Sequence, residues 1–370
     1  MVMGAAFDFT PLWQLAALGA LLAGAPLLWL RLRTVGASPQ AKLRALTVLT
    51  LFLTFDLVLF GAYTRLSDSG LGCPDWPGCY GSASPLGARD EIHAAQSAMP
   101  SGPVTHGKAW VEMVHRYLAS GVGVLILVLC VMTWRQAKNT ATNTAVKPWL
   151  ASFTLFWVCL QGAFGALTVT MKLFPAIVAL HLLGGMGLLM LLAWAAQGYS
   201  PKPLALGGSL RRAALVLLLL SLVQVALGGW VSTNYAVLAC SDFPQCQNGQ
   251  WLPELDFGHG FTIWRELGVG ADGGWLPFAA LTAIHWTHRV GALVVFSALL
   301  LFAWRLWRHG DHQARQWARG LLLVAAWQFL SGVSNVVLDW PLLAALAHTG
   351  GAAALLVLLT TMLARQYQAQ

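Results

Sequence analysis

Charge is scarce in this 370-residue chain, where charged side chains make up 10% of the residues and hydrophobic ones 57%. Acids are the scarcest class, 14 against 22 lysines and arginines. No basic soluble segment stands apart from the apolar runs, so the net charge of +8 does not call for a nucleic-acid partner. The alternating ten-residue segments of a membrane barrel are also missing. So are the C-x-x-C of a thiol oxidoreductase and the paired spacing of a zinc knuckle.

What fills the chain instead is long apolar runs, near 12–30, 45–63, 113–134, 149–171, 175–197, 213–233, 281–304, 320–338 and 342–363. Unpaired backbone groups are costly in lipid, so runs of this length and Leu/Ala/Val/Gly composition must be helices. The expected fold class is all-α, a polytopic membrane protein with nine spans. The first run lacks a basic segment before it, and Arg31 and Arg33 follow it, so it reads as a retained span with its N-terminus outside. With that orientation, 15 of the 22 basic residues fall in inner loops or at the C-terminal end, and Asp311 is the single inner acid. The cysteine-bearing loops, about 64–111 and 234–280, then lie on the outer face, which in a bacterial inner membrane is oxidising.

The chain also repeats itself. Cys73 and Cys240, Cys79 and Cys246, Gln161 and Gln328, Gly165 and Gly332, and His181 and His348 are each separated by 167 positions. "EMVHRYLASGVGVL" aligns with "HWTHRVGALVVF" at an offset of 173, the extra six residues falling in the second outer loop. The expected organisation is an extra N-terminal helix and inner loop (1–44), a first four-helix half (45–198), an inner linker (199–212) and a second four-helix half (213–364). An even number of spans per repeat relates the halves by an axis along the membrane normal, unlike an inverted-repeat transporter.

Histidine carries the chemistry. His115 and His181 in the first half, and His288 and His348 in the second, lie inside spans at matched positions. Such residues at membrane depth are expensive and mark function, or else pack against a neighbouring carbonyl. In an up-down bundle the second and fourth helices are diagonal, so each pair can clamp a planar group. Imidazole pairs without cysteine or carboxylate partners suit heme iron better than zinc, with copper left open. Arg65, Arg116 and Arg289 stand at the outer boundary, where heme carboxylates would emerge or where arginine snorkels. Gly184, Gly185, Gly187, Gly350 and Gly351 would let helices or a macrocycle approach closely. Glu112 lies three residues before His115, whereas the matching position in the second half is His285, so one site has a carboxyl group that the other lacks.

The six-position spacing of Cys73 with Cys79 and of Cys240 with Cys246 suits a structural disulfide in each outer loop. In a loop so short the bridge is worth about 2 kcal/mol. Cys130 and Cys159 read as buried, inert residues, Asp56 as a helix-packing hydrogen bonder, and His93, His106 and His259 as surface residues.

The segments "TRLSDSGLGCPDWPGCYG", "KAWVEMVHRYLASGVGVL", "VALHLLGGMGLLMLL", "IHWTHRVGAL" and "LAHTGGAAALLVLL" resemble the signature segments of the heme A synthase family over about residues 45–363. That resemblance implies oxidation of a methyl group of heme O to a formyl group by successive hydroxylations, giving heme A for terminal oxidases. It implies a b-type heme (heme b) on His288 and His348 and the substrate heme O on His115 and His181, with Glu112 handling protons or positive charge at the reacting edge. The implied partners are heme O, membrane lipid, the heme O-forming farnesyltransferase and an electron acceptor of unidentified nature. Two other readings use the same histidines: a non-catalytic di-heme cytochrome relaying electrons from quinol, and a transporter with a histidine proton relay.

Overall fold

The structure is a computed structural model and describes residues 10–139, 147–199, 202–270 and 273–368. Among the described residues it is all helix, with no named strand: α1 (Thr10–Arg33), α2 (Pro39–Leu66), α3 (Arg89–Ala98), α4 (His106–Asn139), α5 (Pro148–Thr170), α6 (Pro175–Gly198), α7 (Gly208–Thr233), α8 (Phe257–Gly260), α9 (Phe278–Arg308), α10 (His312–Val337) and α11 (Leu342–Tyr367). Nine of these are long and apolar enough to cross a membrane, and they coincide with the nine expected runs. The two additions, α3 and α8, are short helices in the cysteine-bearing loops. Residues 200–201 of the expected linker lie outside the described residues.

Helix starts follow local chemistry. Ser38 accepts the Ala41 N–H at 3.2 Å with Pro39 at the first helical position, and Asp311 accepts the Ala314 N–H at 3.3 Å. Pro148 and Pro175 open α5 and α6, where a missing N–H costs no helical bond. These caps carry α2 and α10 several residues beyond their apolar runs. Inside α2 the buried hydroxyls of Thr47, Thr50 and Thr54 are satisfied by the helix itself, donating to carbonyls four residues back at 2.7–2.8 Å.

The chain divides into two compact units at Lys172/Leu173. In the first, α4 is the hub, with α1, α2, α3 and α5 against it. The seam of α1 and α4 is backbone-close: a Cβ added to Gly19 would lie 2.6 Å from Ser120 Cβ. At one end of this unit Leu15 of α1, Met113 and Tyr117 of α4, Ile92 of α3 and the Cys73–Cys79 bridge form one buried cluster.

In the second unit α7 packs on α9, α9 on α10, α10 on α11 and α11 on α7, closing a ring in which α9 and α11 are diagonal. The helix α6 belongs to this unit, packed against α7 and α11.

Candidate functional site

Both cysteine loops are held by one device used twice. Cys73 and Cys79 are bridged with Cα atoms 4.9 Å apart, and Cys240 and Cys246 with Cα atoms 4.3 Å apart. In the first loop Glu112, buried on α4, accepts the Cys73 N–H at 2.8 Å and pairs with Arg116. The Arg116 guanidinium donates to the carbonyls of Asp75 (3.1 Å), Pro77 (3.1 Å) and Gly78 (2.5 Å). In the second, His285 Nδ1 accepts the Cys240 N–H at 3.2 Å, and Arg289 donates to the carbonyls of Cys240 (2.7 Å), Asp242 (2.7 Å) and Gln245 (2.8 Å). Arg289 Nε also reaches His285 Nε2 at 3.4 Å. Asp75 accepts the Tyr80 and Gly81 N–H groups at 2.6 and 2.7 Å, and Asp242, 167 positions later, accepts that of Gly249 at 3.1 Å.

The histidines of the second unit sit in a reciprocal cradle. His288 of α9 faces Gln224 and Gly228 of α7. Gln224 Nε2 lies 2.9 Å from the His288 carbonyl and 3.0 Å from His288 Nδ1, and a Cβ at Gly228 would stand 3.1 Å from the ring. His348 of α11 faces Gln328, Ser331 and Gly332 of α10. With its amide in the orientation that satisfies both ends, Gln328 donates to the His348 carbonyl at 2.9 Å and accepts the Ala352 N–H at 3.1 Å. Ser331 Oγ is 3.1 Å from His348 Nδ1, and a Cβ at Gly332 would stand 3.2 Å from the ring. Each glutamine fits because the third residue after its histidine is glycine: a Cβ at Gly291 would fall 2.4 Å from the Gln224 amide oxygen, and one at Gly351 2.5 Å from the Gln328 amide end that faces the His348 carbonyl. The two histidines therefore stand on diagonal helices, each held on one edge by the neighbouring helix.

This donor set fits an iron held from two sides. Among the described residues no cluster of three His, Cys, Asp or Glu side chains forms a protein-only metal site. His348 fits as it stands, because its Nδ1 edge is occupied and its other nitrogen is not against α10. At His288 the fit is looser: Gln224 Nε2 lies against both Nδ1 and the His288 carbonyl, and only the bond to the carbonyl persists when Nδ1 carries the ring proton and Nε2 is left for iron.

The first-half histidines are placed differently. His115 of α4 stacks on Phe60 with ring centroids 6.2 Å apart and presents its Nε2 edge to α2, where a Cβ at Gly61 would lie 3.0 Å away. His181 stands on α6, in the second unit, with its Nδ1 buried and without a hydrogen-bond partner among the described residues.

Other residues sharpen or change the expectations. Arg65 pairs with Asp68 at 3.3 Å at the end of α2. Cys130 is buried, but Cys159 is exposed, because α5 turns much of its apolar surface outward. Asp56 is exposed on α2 rather than packed between helices. His93 is exposed on α3, whereas His106 and His259 are half-buried, and His259 Nδ1 bonds Asp256 at 2.6 Å. Arg265, absent from the sequence expectations, is 5% exposed in the second cysteine-bearing loop, bonded to Asn234 Oδ1 at 2.5 Å, and burial lowers its pKa. Gln224, Ser331, Gly61 and Gly228 were also not expected. The offset of 167 between Gly61 and Gly228 was a signal for the two glycines.

A family model described as cytochrome oxidase assembly protein, COX15-CtaA, matches residues 44–360. The chain belongs to this family. The matched stretch holds all four spans-borne histidines and both cysteine loops, and leaves α1 outside. The COX15-CtaA chain is similar to the heme A synthase of Shewanella oneidensis, at 40% identity over 322 residues, covering 85% of this chain and 93% of that protein. It is 30% identical over 330 residues to the heme A synthase of Methylobacterium radiotolerans, covering 83% and 85%. With the heme A synthase of Halalkalibacterium halodurans it shares 25% identity over 301 residues, covering 79% and 86%.

Proposed function

We propose that this protein oxidises a methyl group of heme O to the formyl group of heme A. The supporting observation is the pair of histidines on diagonal helices of the second unit, each backed by a glycine and a polar side chain, in a chain whose relatives are named heme A synthases. In this reading His288 and His348 hold a resident b-type heme, which when bound supplies one-electron chemistry. His115 and His181 are assigned to the substrate heme by repeat correspondence.

The chain's own residues bind, orient and neutralise. Glu112, one helical turn before His115, stands ready to take protons or to stabilise positive charge at the reacting carbon, while its bond from Cys73 fixes its position. Arg65, Arg116 and Arg289 supply positive charge for the heme carboxylates at the outer boundary, the latter two from within their loop networks. Two hydroxylations of one methyl carbon followed by loss of water from the gem-diol remove four electrons in all. The reaction therefore needs an electron acceptor outside this chain, and heme O from the farnesyltransferase that makes it. The clustering of basic residues in alternate loops and the bacterial relatives support a reading in which the protein lies in a bacterial inner membrane with both cysteine loops on the periplasmic side.

Chromatography of hemes extracted from cells that supply heme O tests the reading. Heme A is expected with the intact protein and absent without it. Heme O left unchanged by a protein that binds heme on all four histidines would make it an electron-transfer cytochrome instead.

A further inference from the structure

The two histidine pairs differ in a way that the repeat exposes. Ser331 Oγ lies 2.7 Å from the Trp327 carbonyl and 3.1 Å from His348 Nδ1. A hydroxyl has one proton and a carbonyl can only accept, so that proton goes to Trp327, and Ser331 meets Nδ1 with a lone pair. His348 Nδ1 must then carry the ring's N–H, and its Nε2 presents a lone pair. At His288 the polar neighbour is Gln224, whose Nε2 is held toward Nδ1 by its bond to the His288 carbonyl at 2.9 Å, so it gives Nδ1–H no acceptor. Subtracting 167 from Gln224 and Ser331 gives Leu57 and Phe164, neither of which can bond an imidazole nitrogen. His181, the counterpart of His348, accordingly has a buried Nδ1 without a hydrogen-bond partner among the described residues.

We infer that Ser331 is a positioning residue that fixes His348 as a strong, ready-made iron ligand, a support that its counterpart His181 does not have among the described residues. The inference rests on the assignment of a resident heme to His288 and His348. The chemistry follows from the task of each pair. A cofactor that stays must be gripped, whereas a substrate that enters as heme O and leaves as heme A must be released. An imidazole whose Nδ1–H is bonded is a more basic and better-oriented donor than one whose Nδ1 is bare. The repeat thus differs at one buttress, Ser331 against Phe164, and with it the support of His348 against that of His181. Ser331 touches neither iron nor substrate; it acts through His348.

The experiment measures transfer of heme from the detergent-purified full chain to excess apomyoglobin, with the low-spin absorption and the midpoint potential of the same samples. Ser331→Ala is expected to speed heme loss about 10–100-fold and to raise the midpoint potential, since the weakened donor favours ferrous iron. Ser331→Thr, which keeps the hydroxyl, should restore both. Ser334→Ala provides the control. Ser334 makes the same kind of bond, to the Leu330 carbonyl at 2.7 Å, and it should leave heme retention unchanged. If Ser331→Ala matches the parent in both retention and potential, the inference fails while the ligand assignment stands. If His348→Ala keeps the low-spin heme, the ligand assignment itself fails.

Discussion

Glu112 holds Cys73: its Oε2 accepts the Cys73 N–H at 2.8 Å, as His285 accepts that of Cys240 at 3.2 Å in the other unit. An acid and an imidazole thus perform the same bracing task, and charge is what separates them. Glu112→Gln keeps an oxygen for Cys73 and removes the charge. It is expected to retain the second-unit heme yet to lower heme A formation on the order of 100-fold. His285→Ala should leave substantially more conversion. Heme chromatography checks both, and near-normal heme A in the Glu112→Gln strain would leave Glu112 with bracing as its sole role.

In the proposed reading His288 and His348 would hold the resident heme, and removing either imidazole would leave it one ligand short. His288→Ala and His348→Ala are each expected to abolish a low-spin b-type signal, read in absorption spectra of purified protein. An unchanged spectrum in both would move the heme elsewhere.

The glycines against the rings give a subtler test. In Gly228→Ala and Gly332→Ala the new methyl would stand 3.1 and 3.2 Å from ring carbons. The imidazole must give way by a few tenths of an ångström. A shifted low-spin spectrum with bound heme retained is the expected result, and an unshifted one would mean the ring has room to spare.

Alkylation before and after reduction, followed by intact-mass measurement, should find Cys73 joined to Cys79 and Cys240 to Cys246, with Cys159 reacting without reduction. Replacing either pair by serine should cost about 2 kcal/mol. Four alkylated outer-loop thiols in unreduced protein would contradict the pairing.

The short helix α8 carries a pH dependence. Its cap Asp256 accepts the His259 backbone N–H at 3.0 Å, and that bond, aided by the His259 ring, holds the carboxyl below its ordinary pKa. Because the folded value is depressed, the cap's contribution is present above the usual carboxylate range and is lost as pH falls through the lowered value. Hydrogen exchange at the α8 amides should therefore quicken only in that acid window. Asp256→Asn should flatten the dependence.

The nine spans were legible because lipid demands long apolar helices, a requirement written directly in composition. Helices α3 and α8 were not, since a loop helix of ten or four residues leaves little periodicity. The four histidines could be read through duplication, which turned single residues into matched pairs. Their supports could not. Gln224 and Ser331 act across a helix seam, and which side chain meets which ring depends on helix rotation rather than on spacing along the chain. The same rotation exposes Cys159 while burying Cys130. The two cysteine bridges could be read from a local spacing, but the arginine forks beneath them lie about 40 positions away in sequence.

The arginine forks bear on how the sequences of the two cysteine loops have come to differ. Arg116 and Arg289 grip main-chain carbonyls, which every residue possesses. "GCPDWPGC" and "ACSDFPQC" accordingly keep both cysteines, the turn-closing aspartate and one proline, and have changed at every other position. A clamp that recognises the chain rather than its side chains constrains heredity lightly. It leaves exposed positions such as Pro74 and its counterpart Ser241 free to be rewritten for different neighbours without loosening either loop from its helix.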